Sequence, residues 1–261
     1  MLCAYLRLPY TAESDLPASD ATARHTYLAL REVRHTIIRL IGDHLRLSHT
    51  HPRSWQGHDF DFTGVVFDGG DLSGAVFSGG TVSFSEAVFS GGSVNLSEAK
   101  FSGGRVSFYA ADFSGGIVDF SDSEFTGSEV IFYAADFSGS SVGFSGVEFT
   151  GGTVNLTGAK FSGGSVFFSG AKFTGSQVTF YDVVFSRGRV DFMDAEFTGA
   201  VVDFVDAEFP SEVGWSADRE FTPAVIDFSG ASGTPPTDLV PSDGSFPDGL
   251  ILPPEWLPPL Q

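Results

Sequence analysis

The sequence predicts an all-β solenoid with a helical cap before it and a proline-rich tail after it. Phenylalanine accounts for 28 of the 261 residues, and most of it recurs at fixed spacings between Phe62 and Phe209. Many of the 32 Gly lie between these positions, and no proline interrupts the stretch from Pro52 to Pro210. A long repeat of this kind indicates stacked coils rather than several globular domains.

Composition divides the chain into three zones. All six His lie at or before His58, and eight of the thirteen Pro lie after Ala231. We predict a helical module over 1–57, a repeat domain over 58–231 that is regular to 209 and degenerate after it, and a Pro-rich tail over 232–261. The single cysteine, Cys3, excludes a disulfide framework and a multi-cysteine zinc site.

An amphipathic helix is predicted in the N-terminal zone, because apolar residues recur there at spacings of three and four. They are Tyr27, Leu30, Val33, Ile37, Leu40, Ile41 and Leu45. Asp20 or Ser19 can cap its start by accepting a hydrogen bond from a free backbone N–H, and polar residues and Pro52 end it. With Trp55, this helix is expected to cap the first coil, since an open solenoid end exposes unpaired strands.

The central zone repeats two steps. From Phe62 to Phe209 there are 26 register positions, 23 Phe and three Leu, and after Phe77 their spacing alternates between seven and five. Val stands two residues before the Phe of each seven-residue step, and mostly Ala before that of each five-residue step. Residues two apart face the same side of an extended chain, so each triplet points two side chains into a core. Gly-Gly and related pairs fill the longer steps and form corners, where Gly adopts a positive φ without a Cβ penalty.

We predict a 24-residue coil rather than a 12-residue coil. Four faces of five, seven, five and seven residues add up to the longer coil, and the segment Phe108–Phe113 recurs one such coil later as Phe132–Phe137. A 24-residue coil also brings more opposite charges together in neighbouring coils, which is favourable. One such column contains Lys100, Glu124, Glu148, Lys172, Glu196 and Glu220, and another contains Asp112, Asp136 and Lys160. The 12-residue coil stays open, because the similar segments that begin at Asn95 and Asn155 are not separated by a whole number of longer coils.

The repeat resembles the pentapeptide-repeat family, in which a central Leu or Phe points inward and follows a small residue two places earlier. The matching triplets include Val65-x-Phe67, Ala75-x-Phe77, Ala87-x-Phe89, Ala111-x-Phe113 and Ala135-x-Phe137. The resemblance covers about residues 60–209 and implies a right-handed quadrilateral parallel β-helix. The chain departs from the family pattern by two additional residues in alternate faces.

The N-terminal zone resembles the helical segment that precedes the repeats in larger bacterial pentapeptide-repeat proteins, some of which carry a membrane anchor. The resemblance rests on Leu2–Arg7 and Glu32–Arg46. Because the chain opens within that segment, we expect a shortened relative. The apolar runs are too short for a membrane span or a secretory signal, so we expect a cytoplasmic protein.

The C-terminal end of the repeat is predicted to be irregular. Val213 and Trp215 come one residue early, and Phe221 restores the register. The Pro-rich tail from 232 is expected not to extend the strand pairing, because proline lacks the backbone N–H. We expect the tail to fold over the last coil through Phe246, Leu250, Ile251 and Trp256.

No catalytic residue, metal site or cofactor is predicted. The His-rich segment 44–58 lacks the cysteine or clustered acids that would complete a metal site. The segment Asp68–Asp71 lacks the repeated motif of calcium-binding solenoids and suits a coil corner. Acid pairs such as Asp119 and Asp122 lie at regular surface positions, and no phosphate-binding loop or nucleophile motif occurs. We therefore expect a protein that is not an enzyme.

Two surface features are candidates for binding a partner. Three tyrosines are predicted to form a partly exposed ladder, for which structural stacking is the alternative role. They are Tyr109, Tyr133 and Tyr181. An acidic surface is predicted at Asp112, Glu124, Asp136, Glu148, Glu196 and Glu208.

These features predict a non-catalytic scaffold that binds a protein partner. The alternative, implied by the family resemblance, is an acidic DNA mimic that binds a DNA-processing enzyme such as DNA gyrase. The net charge of −19 argues against direct nucleic-acid binding. Acids confined to one face would favour the mimic, and acids on all sides would favour simple solubility. The partner and the oligomeric state stay open.

Overall fold

The computed structural model describes residues 2–8, 10–11, 16–17, 20–208, 225–239 and 249–257. Within these ranges, the helices α1 (Leu2–Leu6) and α2 (Ala21–Arg46) precede a series of short strands, and a 3₁₀ turn at Pro254–Trp256 follows them. The strands are β1 Phe60–Asp61, β2 Val66–Phe67, β3 Gly70–Asp71, β4 Val76–Ser78, β5 Thr81–Ser83, β6 Val88–Asn95, β7 Lys100–Ser102, β8 Arg105–Ser107, β9 Asp112–Asp119, β10 Glu124–Thr126, β11 Glu129–Ile131, β12 Ser141–Gly143, β13 Glu148–Thr150, β14 Thr153–Asn155, β15 Lys160–Phe167, β16 Lys172–Thr174, β17 Gln177–Thr179, β18 Val184–Asp191, β19 Glu196–Thr198, β20 Val201–Asp203, β21 Val225–Asp227, β22 Ser232–Gly233 and β23 Leu250–Ile251.

These strands pair in parallel into three sheets along the solenoid. Sheet A has the order β1-β5-β8-β11-β14-β17-β20, and sheet C has the order β22-β19-β16-β13-β10-β7-β4. Sheet B has the order β2-β6-β9-β12-β15-β18-β21-β23, with β3 also paired to β6. Val106 pairs with Val130, and Val130 pairs with Val154, which gives a 24-residue coil. The predicted solenoid and its coil length are confirmed, and residues at the same place in successive coils form columns.

Each regular coil contains four pairing segments. In the coil that begins at Lys100, β7 belongs to sheet C and β8 to sheet A. Strand β9 belongs to sheet B and supplies the other two segments, because it turns at Gly115 and Gly116, where its register with β6 shifts. The four segments correspond to the four faces predicted from the spacing of five and seven residues.

The core consists of stacked phenylalanine rings. Every described register position from Phe62 to Phe204 is buried. The rings of Phe89 and Phe113 lie 4.7 Å apart at an angle of 1°, and those of Phe113 and Phe137 lie 4.7 Å apart at 8°. Burial of each ring contributes roughly 1.5–3 kcal/mol, which offsets the conformational entropy lost by the ordered chain.

Two kinds of corner join the segments. At Gly104, φ is 79°, and a Cβ there would collide with the carbonyl oxygen of Gly80 in the preceding coil. The other kind of corner has a positive φ two residues after the inward Phe or Leu. Non-glycine residues occupy several of these positions, including Glu98 with φ 57°, Ala110 with φ 49° and Asp122 with φ 57°. The coil geometry therefore imposes a left-handed conformation even where the side chain disfavours it.

The N-terminal helix caps the first coil as predicted. Asp20 caps the start of α2 by accepting a hydrogen bond from the backbone N–H of Ala23 at 2.9 Å. Ile38, Ile41 and Leu45 are buried in the same core cluster as the first phenylalanines. Trp55 also packs against this core. The helix therefore covers the apolar end of the solenoid.

The buried side of α2 differs in part from the predicted stripe. Three of the predicted core residues are exposed, namely Leu30, Val33 and Leu40. Arg34 is buried instead, and its guanidinium donates hydrogen bonds to the carbonyl of Leu6 at 2.7 Å and to that of Val66 at 2.5 Å. The helix is therefore rotated toward the side that lets this arginine reach both backbone oxygens.

The number of residues per coil changes near the C-terminal end of the repeat. Val190 pairs with Ile226, and Glu196 pairs with Ser232, so a 36-residue coil replaces the regular 24-residue coil here. Ser232 is thus the residue that pairs with Glu196, and Glu220, which was predicted to follow Glu196 in the charge column, lies outside the described residues. The predicted irregular positions lie outside the described residues; they are Val213, Trp215 and Phe221.

Strand pairing continues into the Pro-rich tail, contrary to expectation. Strand β22 pairs with β19, Thr237 forms a bridge with Asp203, and β23 pairs with β21. The pairing residues are not prolines, so their backbone N–H groups remain available. The boundary predicted at 231 therefore does not mark the end of the solenoid.

The tail also covers the last core rings. The indole of Trp256 lies 5.7 Å from the ring of Phe228 and 5.9 Å from that of Phe197. Leu250 packs against the same core, as predicted, whereas Ile251 is exposed and Phe246 lies outside the described residues. No helix in the described ranges is both long and apolar enough to cross a membrane.

Candidate functional site

The three predicted tyrosines lie in one outward column at a corner between sheets A and B. The rings of Tyr109 and Tyr133 are 5.7 Å apart with an angle of 2° between their planes. Tyr181 continues the column two coils beyond Tyr133, and Thr157 occupies the coil between them. The exposed fractions of the three tyrosines are 45%, 43% and 44%. The surface tyrosine column is thus a stacked pair, a coil without a ring, and one further tyrosine.

Acidic residues lie at one end of this column. The next residues along the same corner are Ala134, Gly158, Asp182 and Asp206 in successive coils. The negative charge of Asp206, followed by its hydrogen bond to the phenol, raises the pKa of Tyr181. A negative potential therefore surrounds the tyrosine that stands alone.

A shallow depression lies on sheet A beside the surface tyrosine column. Its volume is about 290 Å³. Its polar lining includes Glu129, Thr153, Asn155, Gln177, Thr179 and Asp203. Asn155 and Thr179 precede Thr157 and Tyr181 by two residues, so the depression and the tyrosine column adjoin.

Half of the predicted acidic surface lies on sheet C, where lysines accompany it. Glu124 pairs in register with Lys100 and Glu148 with Lys172, and the ion-pair distances are 2.7 Å and 3.0 Å. Glu196 follows Lys172 in the same column. The predicted order of charges in this column is confirmed up to Glu196.

The other half lies on sheet B. Asp112 forms a backbone bridge with Asp136, and Asp136 forms one with Lys160. Glu208 forms such a bridge with Val184 further along the same column. The six predicted acids therefore belong to two faces of the solenoid rather than one.

Further acids lie on the remaining parts of the surface. Glu129 and Asp203 lie on sheet A, and Asp122 and Asp194 lie at the corners between sheets B and C. Together with the acids on sheets B and C, they place negative charge on every side. The acidic groups surround the solenoid and do not form one continuous stripe.

Comparison with known proteins agrees with this repeat geometry. The family model for pentapeptide repeats, described as nine copies of the repeat, matches residues 62–112. Within this segment the chain is similar to the pentapeptide-repeat family. A comparison with curated proteins gives no match.

Two solved structures of QnrB1, described as a plasmid-mediated fluoroquinolone resistance protein, are similar to this chain. The trypsin-treated variant is 18% identical over 68% of this chain and 84% of the QnrB1 chain, with a TM-score of 0.26. The full-length form is 21% identical over 67% and 89% of the two chains, with a TM-score of 0.22.

The protein also contains a buried polar cluster that the sequence analysis missed. Asp68 is 8% exposed and accepts hydrogen bonds from the hydroxyls of Tyr10 and Tyr27, the latter at 2.9 Å. His35 lies 3.2 Å from one carboxylate oxygen, and the guanidinium of Arg31 lies 3.2 Å from the other. The cluster joins α2 to the first coil. The regular repeat gave no signal for it, because all the partners come from the segment before the repeat.

The Asp68 cluster stabilises the charged carboxylate. Burial opposes the charge, but hydrogen bonds from His35, Tyr10 and Tyr27 outweigh it and lower the pKa of Asp68 to about 2. Burial and the hydrogen bond to Asp68 raise the pKa of Tyr10. These contacts occupy Asp68, and Arg46 pairs with Asp71 at 3.3 Å.

The His-rich segment has structural contacts. The ring of His44 stacks on the indole of Trp55 at 4.1 Å and lies 2.6 Å from the carbonyl oxygen of Arg53. Among the residues that the structure describes, no group of three or more His, Cys, Asp or Glu side chains is arranged to hold a metal ion.

Proposed function

We propose that this chain is a non-catalytic scaffold that presents the surface tyrosine column to a protein partner. The single observation that carries the proposal is the outward stacking of Tyr109 and Tyr133, with Tyr181 in the same column. Aromatic side chains are enriched at the energetic centres of protein interfaces, because they bury a large area and lose few rotamers. The side chains of the inward columns are buried in the core, so a partner would contact the side chains of the outer surface.

The second candidate is an acidic DNA mimic that binds a DNA-processing enzyme such as DNA gyrase. The net charge of −19 favours it. The distribution of the acids does not, because they surround the solenoid and lysines pair with Glu124 and Glu148. We therefore rank the scaffold first. A DNA supercoiling assay tests the mimic: the absence of gyrase inhibition at micromolar protein would exclude it.

Affinity capture from the native host tests the scaffold. The variant combines Tyr133→Ser with Tyr181→Ser, because Ser85 occupies the same column and the fold accepts it there. The matched control is Met193→Ser, which removes an exposed apolar side chain at the opposite corner, where the equivalent residue one coil earlier is Ser169. We expect the tyrosine variant to lose partners that the wild type and the control retain. Identical partners for all three proteins would overturn the proposal.

A further inference from the structure

The surface tyrosine column contains a gap of one ring. Tyr133 and Tyr181 are two coils apart, which corresponds to about 9.6 Å at the usual spacing of parallel strands. Their exposed fractions are nearly equal, as expected for rings that leave equivalent corners in the same direction. We call the space between them, next to Thr157, the tyrosine gap.

The tyrosine gap has the dimensions of one planar group. Inside the solenoid, rings one coil apart stack at 4.8 Å in the pair Phe144 and Phe168 and at 5.0 Å in the pair Phe173 and Phe197. A planar group halfway between Tyr133 and Tyr181 would lie about the same distance from both rings. The coil at the gap contributes only the small residues Thr157 and Gly158, and no atom lies within 4 Å of the Cβ position at Gly158.

The charges around the tyrosine gap favour a cation. Asp182 follows Tyr181 directly, and Asp206 stands at the same corner one coil further and interacts with the phenol of Tyr181. On sheet B, Asp136 follows Tyr133 by three residues and forms a backbone bridge with Lys160, and one of its carboxylate oxygens is buried without a hydrogen-bond partner. Lys160 is the basic residue of the gap coil, and it lies on sheet B rather than at the corner. Acids therefore outnumber bases here.

We propose that Tyr133 and Tyr181 clamp the guanidinium of an arginine that belongs to the partner protein. The proposal rests on the scaffold function and names the chemistry of its contact. A guanidinium is flat, stacks on aromatic faces and carries the positive charge that Asp182 and Asp206 attract. A lysine ammonium lacks the flat surface, so it satisfies the charge but not the shape.

The depression on sheet A extends the same site. It adjoins the gap through Asn155 and Thr179, so residues next to the clamped arginine would lie over it. Asn155 and Gln177 offer side-chain amides, which can both donate to and accept from a peptide backbone. An arginine within an extended peptide segment would thus meet aromatic, acidic and amide groups within two neighbouring columns.

Titration with three synthetic peptides tests the clamp. They are identical except for a central arginine, lysine or phenylalanine, and the ring resonances of the tyrosines are followed by NMR. Because two stacked faces contribute, we expect the arginine peptide to bind about fivefold more tightly than the lysine peptide. It should also shift the resonances of Tyr133 and Tyr181. Equal binding of the arginine and lysine peptides, or equal binding of the phenylalanine peptide, would overturn the assignment to arginine.

A matched pair of variants locates the binding site. Thr157→Tyr fills the gap with a ring of the chain itself, whereas Val205→Tyr extends the same column beyond Tyr181 and leaves the gap open. We expect the first variant to lose the preference for arginine and the second to retain it. Tyr181→Thr removes one side of the gap and should also lose the preference for arginine. Agreement between these two variants would show that the loss is not caused by misfolding of one of them. A Thr157→Tyr protein that keeps the full preference would overturn the clamp.

The two proposals can fail separately. If Thr157→Tyr still captures the partners that Tyr133→Ser/Tyr181→Ser loses, the scaffold stands and the clamp is wrong. If no tyrosine variant changes any captured partner, the scaffold itself is wrong, whatever the peptides show.

Discussion

The substitution Asp68→Asn is expected to weaken the attachment of α2 to the first coil. The carboxylate is buried and receives hydrogen bonds from Tyr10, Tyr27 and His35, with Arg31 alongside. Asparagine has nearly the same volume, but it presents an amide N–H₂ where a carboxylate oxygen now accepts. The change therefore removes the charge and leaves at least one donor facing another donor, without opening a cavity.

The magnitude follows from the pKa of Asp68. Its value of about 2 in the folded chain, against an ordinary 3.8, corresponds to about 2 kcal/mol of stabilisation of the charged form at neutral pH. Because the folded-state pKa is depressed, this stabilisation is fully present above about pH 4. It is lost as the pH falls to about 2. The deficit of the Asn variant should shrink over the same range.

Hydrogen exchange of the α2 amides measures this deficit, since a capping helix can open without unfolding of the solenoid. At neutral pH we expect α2 to open about 30-fold more often in Asp68→Asn than in the wild type. Urea unfolding at about pH 2 should show little difference between the two proteins. The control is Asp43→Asn, an exposed acid of the same helix that pairs with Arg46 and should cost less than about 1 kcal/mol. Unchanged exchange in Asp68→Asn, or a deficit that is equally large at low pH, would refute the reasoning.

Three further predictions concern the solenoid itself. In urea unfolding, Phe113→Ala should cost about 3–5 kcal/mol, because it leaves a cavity between two stacked rings, whereas Phe113→Leu should cost less than about 2 kcal/mol. Ala134 has a φ of 56° and Gly158 a φ of 66° at equivalent corners. Ala134→Gly should therefore stabilise the fold and Gly158→Ala destabilise it, each by up to about 1 kcal/mol. A change of unfolding free energy in the same direction for both variants would contradict backbone strain at these corners. Arg189→Gln should destabilise the 36-residue coil by about 2 kcal/mol at neutral pH, because it leaves Asp227 without its cation at 2.9 Å. Despite burial, hydrogen bonds with Ser229 and the charge of Arg189 lower the pKa of Asp227. The loss of stability should therefore decrease as acid protonates Asp227.

The repeat fold was predictable because each inward column is chemically uniform. Val82, Val106 and Val130 occupy one such column, and the Phe two residues later occupies the next. A uniform column can be recognised from spacing alone, because the buried face of an extended segment alternates with a period of two. The 24-residue coil followed from the charges: it pairs Glu124 with Lys100, whereas a 12-residue coil would have placed Glu124 between Asp112 and Asp136.

The 36-residue coil could not be predicted for the same reason. The inward pattern has a 12-residue period, so a coil that is longer by one period still places Phe228 beneath Phe192. Either continuation satisfies the core, and the spacing pattern does not distinguish them. The outward column departs from the predicted charge order, because Ser232 pairs with Glu196.

The contacts of the helical cap could be predicted only in part from the sequence. The spacing of Leu30, Val33 and Leu40 matches the expected apolar stripe, yet the helix buries the adjoining side. An apolar pattern does not include backbone acceptors, and two carbonyl oxygens at the end of the solenoid bond to Arg34. The cation of Arg34 also lies 4.3 Å from the ring of Tyr10, so a charged residue replaces the expected apolar contact.

The surface tyrosine column accepts several different residue types. Serine, tyrosine, threonine and valine all occur in it, at Ser85, Tyr133, Thr157 and Val205 among others. The inward residue beneath each of them is buried whichever of these residues stands above it: Phe84, Phe108 and Phe132 stack at 4.8 Å, and Leu156 stands beneath Thr157. A residue already accepted in one coil should be accepted in the next, because the backbone of each corner is equivalent. A loss of binding caused by Thr157→Tyr can then be assigned to the filled gap rather than to a change of fold.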